Sequence, residues 1–88
     1  MLKNVGEVIE KAREFINLGQ LNQAERELLT AIKERKNPKE TYFLLGDVYL
    51  RKNDLIEAEK AFQMIVTIDS HDYLAHLNLG NIYSQAIF

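Results

Sequence analysis

Few side chains in this 88-residue sequence are of types that carry out chemistry, and their spacing limits what they can do. His71 and His76 stand five residues apart, a step that puts them on different faces of a helix, so each reads as a packed or surface histidine rather than a shared metal ligand. There is no cysteine, which removes disulfides, thiolate metal sites and cysteine nucleophiles. No acid, histidine and hydroxyl set recurs in a way that would build a nucleophile, and no glycine-rich phosphate loop is present. The many glutamates read as solvated helix faces. The sequence thus points to no catalytic residue, no metal and no cofactor, and the expectation is a protein that is not an enzyme.

Lys33, Arg35, Lys36 and Lys39 form a cationic cluster around one loop. Nucleic-acid binders carry a clustered basic excess over the whole domain, whereas the net charge here is −2. The cluster is therefore expected to complement the C-terminal dipole of the helix that ends there, and no nucleic-acid partner is expected. A composition of 47% apolar and 27% charged residues is that of a folded soluble chain. Its length suits one domain, 1–88, burying roughly 60–65% of its unfolded surface. Met1-Leu2-Lys3-Asn4 leads straight into an amphipathic pattern with Glu7, Glu10 and Glu14. No apolar stretch is long enough for a signal peptide or a membrane span, so a cytoplasmic location follows by default.

The elements that must position these residues are helices. From about Lys3 to Leu18, Val5, Val8, Ile9, Ala12, Phe15 and Ile16 recur at three- and four-residue steps, which makes one apolar stripe on a helix. Gly19 is a left-handed stop. Leu21, Ala24, Leu28, Ala31 and Ile32 mark a second helix to about Arg35, antiparallel to the first because the connection is so short. Asn37-Pro38-Lys39-Glu40 reads as a capping box with proline at the first helical position. The third helix runs to about Lys52, and Asn53 takes the place of Gly19. Asp54 and Glu57 cap a fourth helix carrying Leu55, Ala58, Ala61, Phe62, Ile65 and Val66. Asp69-Ser70-His71-Asp72 precedes a fifth, from about Tyr73.

These helices repeat at a step of 34 residues. Leu45, Gly46 and Tyr49 return as Leu79, Gly80 and Tyr83, and earlier as Ala12 and Phe15 in place of Gly46 and Tyr49. Ala24 maps to Ala58, Leu28 to Phe62, Ala31 to Ile65 and Ile32 to Val66. Such a period reads as stacked helix-turn-helix units. Gly46 and Gly80 are expected to let a neighbouring helix approach closely, with Tyr49 and Tyr83 filling the space beside that contact.

With Tyr42, Leu45, Gly46, Tyr49, Ala58 and Phe62 in the middle unit and Leu79, Gly80 and Tyr83 in the last, the sequence resembles the tetratricopeptide repeat (TPR) family. The first unit departs from the pattern at Lys11 and Ala12, and Ile65 and Ser70 stand where a small residue and proline are usual. The resemblance implies an all-α fold of antiparallel helical hairpins stacked as a right-handed superhelix. It would hold two and a half repeats and five helices, with units at about 5–38, 39–72 and a half repeat at 73–88. It also implies a protein-interaction scaffold whose first helices line a concave surface.

Subtracting the packed face leaves three rows on those first helices: Ile9, Phe43 and Leu77; Arg13, Asp47 and Asn81; Ile16, Leu50 and Ser84. Ile9, Phe43, Leu50 and Leu77 form an apolar strip that either receives a partner's helix or extended segment or packs between adjacent first helices. Arg13 and Asp47 are placed to pair with each other. Family members that grip acidic chaperone tails use lysine, arginine and asparagine at set positions. Here those positions hold Ile9, Arg13, Leu44, Leu74 and Asn78, so the resemblance argues against chaperone-tail binding. The fifth helix is expected to leave Leu79, Ile82, Tyr83, Ile87 and Phe88 bare, so that either the 88 residues are cut from a longer array or another copy seals the face, which makes homodimerisation through it the rival expectation.

Overall fold

The periodicity is realised as five helices, α1 (Val5–Asn17), α2 (Leu21–Lys33), α3 (Pro38–Arg51), α4 (Leu55–Ile68) and α5 (Tyr73–Ala86). The computed structural model describes residues 5–35 and 37–86, among which there is no strand. Lys36 of the cationic cluster, and Ile87 and Phe88 of the expected self-association face, lie outside the described residues. The fold is an all-α helical repeat in which α1 packs on α2, α2 on α3, α3 on α4 and α4 on α5.

The 34-residue step recurs in the backbone hydrogen bonds. At the end of α1, Gln20 N donates to Phe15 O at 2.8 Å and Gly19 N to Ile16 O at 3.0 Å. At the end of α3, Asp54 N donates to Tyr49 O at 2.8 Å and Asn53 N to Leu50 O at 3.0 Å. Both are the paired bonds that close a helix around one left-handed residue, and Gly19 (φ 75) and Asn53 (φ 59) supply it. Asp54 also caps α4 as expected, its carboxylate accepting from Glu57 N. The loop into α3 differs from the expectation. Asn37 adopts a left-handed conformation and its side chain makes no cap bond. Its carbonyl instead accepts from the Thr41 backbone N–H at 3.1 Å and from Thr41 Oγ1 at 3.0 Å. Glu40 does not reach back to close a box, because Arg13 of α1 holds its carboxylate at 2.7 Å.

Small residues set the helix spacing. Ala12, Ala24 and Ala58 are fully buried, and at Gly46 the Phe62 ring of α4 lies where a side chain would begin. Gly80 holds the same register but has nothing within 4 Å of an added Cβ, so the close approach expected there is absent. The reason is positional: Gly46 faces α4, and no helix follows α5 among the described residues. Gly80→Ala is therefore expected to stabilise the fold by about 0.5–1 kcal/mol through helix propensity alone, as a rise in the urea midpoint would show.

Two residues of the α5 face expected to be bare are covered. Leu79 and Ile82 are buried against α4, Ile82 at 2% exposure. Their register, with Ala75 one turn earlier, turns them inward, whereas Tyr73, Leu74, Leu77 and Tyr83 remain exposed. The Tyr83 hydroxyl accepts from Gln63 Nε2 of α4 at 2.9 Å.

A polar latch ties α2 to α3. The Tyr49 hydroxyl donates to Glu25 Oε2 at 2.7 Å, and Lys52 Nζ donates to Glu25 Oε1 and Asn22 Oδ1, each at 2.9 Å. The hydrogen bond from Lys52, then that from Tyr49, holds the Glu25 carboxyl below its ordinary 4.5. Burial, then the bond to Glu25, pushes the Tyr49 phenol well above its ordinary 10.0. A depressed carboxyl adds stability above its ordinary value that is lost as pH falls through the folded one. A raised phenol adds stability below its ordinary value that is lost as pH rises towards the folded one. Tyr49→Phe is accordingly expected to cost about 1 kcal/mol at neutral pH. Urea titrations should show the gap between the two chains narrowing once the pH passes 10.0.

Candidate functional site

A groove of about 420 Å³ opens between α1, α3 and α5. Its floor is Phe43 and Leu44 of α3, Ile65 of α4 and Leu74 of α5, and its rim is Arg13, Lys39, Glu40, Asp47 and Asp72. Glu40, Phe43 and Asp47 share one side of α3 because they lie three and four residues apart. Phe43 is half-buried, its ring edge-on to Phe62 at 5.8 Å between centroids and 79° between planes. The floor aromatic is thus braced by the same ring that occupies the space over Gly46.

Of the side chains singled out from the sequence, the groove brings together Arg13, Phe43 and Asp47. Ile9 is 6% exposed and Ile16 is also buried, both within the core, while the half-buried Leu50 packs against it. Leu77, 46% exposed, and Asn81 and Ser84, also exposed, stand on α5 outside the groove lining. Leu74, 51% exposed, is among the groove residues that the three rows passed over. Its signal was present, because Leu74 stands 34 residues after Glu40, another lining residue.

The rim charges are compensated, though not in the expected pairing. Arg13 Nη2 lies 2.7 Å from Glu40, and Asp47 lies 3.2 Å from Arg51 one turn away. Lys39 does not serve the α2 terminus. It bridges Asp69 at 2.9 Å and Asp72 at 2.8 Å, joining the start of α3 to the loop before α5. The hydrogen bonds to Asp72 and Asp69 hold the Lys39 ammonium above its ordinary range, and those from Lys39 hold both carboxyls below theirs. Each group is thereby fixed in its charged form at neutral pH, the reverse of the tuning that proton transfer requires. Asp72 Oδ1 also accepts from Ala75 N, capping α5, and Asp69 Oδ1 accepts from His71 N within the loop.

His71 and His76 are exposed, with His76 Nε2 2.8 Å from the Ser70 carbonyl oxygen. No cluster of three potential metal ligands occurs among the described residues. Among the described residues no helix is long and apolar enough to cross a membrane. What the groove offers chemically is contact area: an apolar floor inside a rim of paired charges.

Comparison with known proteins places residues 39–72, which run from the start of α3 to the loop before α5, on the model of a family described as tetratricopeptide repeat. No curated protein and no solved structure matches the chain.

Proposed function

We propose that the chain, whose residues 39–72 match the tetratricopeptide repeat family, is a non-catalytic scaffold binding an apolar helix or extended segment of another protein in the groove over Phe43. The observation that carries this reading is the open floor formed by Phe43 and Leu74 within a rim whose charges are already paired. A partner's apolar side chains gain burial there without stripping water from an unpaired charge. The units at 5–38 and 73–88 then flank the matched one, supplying Arg13 and Leu74.

Leu74→Glu tests the proposal. The residue is exposed, and a glutamate in the first turn suits the helix dipole, so folding is expected to be unchanged. Dodecapeptides selected on the chain from a random displayed library should include apolar sequences whose affinity falls at least about tenfold in this variant, a loss of about 1.4 kcal/mol. An absence of apolar peptides whose binding depends on Leu74 would refute the groove.

A second reading, self-association through α5, is favoured by the exposure of Leu77 and Tyr83 on that helix. It requires a dimer of the 10.2 kDa chain at micromolar concentration. Sedimentation equilibrium separates the two readings, and the scaffold reading expects a monomer.

A further inference from the structure

A second groove, of about 600 Å³, lies on the other side of α3 between the C-terminal ends of α2 and α4. Pro38 and Tyr42 stand one turn apart on α3 and point away from Phe43. They form its floor with Ile32, and Met64 and Ile68 form its α4 wall. Met64 is 41% and Ile68 46% exposed. Apolar side chains gathered on an open surface mark a contact site, and methionine adapts its shape to what it meets.

The charge of this groove separates it from the first. Its charged lining residues are Lys33 and Arg35, both exposed. Neither has an ion pair among the described residues, whereas Arg13 and Lys39 are each held by a carboxylate. Glu34 lies between them in the sequence without lining the groove. Arg35 is held at the rim by a left-handed backbone (φ 56). An apolar trough edged by two unpaired cations is complementary to an apolar side chain flanked by carboxylates. A membrane surface is the poorer match, since anionic lipid is gripped by larger basic clusters.

We propose that this groove docks an acidic apolar segment of a partner protein, so that the chain carries two peptide-binding faces of different chemistry on opposite sides of α3. This inference does not rest on the first groove, and the same selection reads the two apart. Among dodecapeptides from the random library, a population pairing aspartate or glutamate with an apolar residue is expected. Its affinity should fall at least about tenfold in Lys33→Gln/Arg35→Gln and in Met64→Asp, remain unchanged in Leu74→Glu, and weaken with added salt. All the substituted residues are exposed, and helical circular dichroism confirms that each variant is folded. An absence of acidic peptides that depend on Lys33 and Arg35 overturns the proposal. So does cosedimentation with phosphatidylserine vesicles that is lost in the double variant while no peptide competes.

Discussion

Phe62→Ala is expected to lower the free energy of unfolding by about 3–5 kcal/mol, the cost of truncating a buried aromatic ring. Phe62 is 1% exposed, lies over Gly46 and braces Phe43 edge-on. The stability available to a domain of this length is about 4–13 kcal/mol at about 0.05–0.15 kcal/mol per residue, so the variant should be partly unfolded at 37 °C. Urea unfolding followed by circular dichroism at 222 nm checks this, with Phe62→Leu as the milder comparison at under about 1.5 kcal/mol. A loss below about 1 kcal/mol for the alanine variant would mean that α3 and α4 do not meet through this ring. The same substitution removes the brace under Phe43, so groove binding should weaken even in the folded fraction.

Gly46→Leu is the second large effect, at about 3 kcal/mol, the upper end of the usual cost of overpacking. A Cβ at this position would lie 2.5, 2.7 and 2.9 Å from three atoms of the Phe62 ring. The ring cannot swing aside cheaply, because it is buried and held by Phe43. The leucine recovers about 0.8 kcal/mol of helix propensity, which falls short of the clash. If the contact is the cause, the two sites must couple: Gly46→Ala should cost markedly less when Phe62 is already leucine. Additive losses in that double-mutant cycle would locate the damage elsewhere. The opposite sign expected for Gly80→Ala is the control, since the two glycines share a register and differ in what faces them.

The helices and their stops were readable because they depend on neighbours in the sequence. Gly19 and Asn53 end α1 and α3 with matching bonds because a left-handed closure needs only a residue that tolerates it, three or four residues from its carbonyl partners. The Asp54 cap is local in the same way. Asn37 shows where locality stops: its type suits a cap, yet Arg13 of another helix takes Glu40 and the box does not close.

Residues of the groove were only partly readable, because exposure belongs to the packed assembly. Period and spacing placed Arg13, Phe43 and Asp47 on one face, and the fold joins them. Whether Ile9 is floor or core depends on how closely α1 approaches α3, a distance that no single helix encodes. Arg13 and Asp47, aligned in the repeat, take different partners because Glu40 and Arg51 lie nearer. Leu79 and Ile82 were expected bare on the supposition that α5 has no mate, yet α4 covers them from its own side.

By itself, then, the sequence determined the helices, their 34-residue period, their stops and the small residues at the contacts, since each follows from backbone preference and side-chain size within a few residues. Only the tertiary structure decided which apolar side chains stay open, which ion pairs form across helices, and that Gly46 is filled by Phe62 while Gly80 faces empty space. Those outcomes depend on which helix arrives over a given face and how near, and that is fixed by the packing of every element at once.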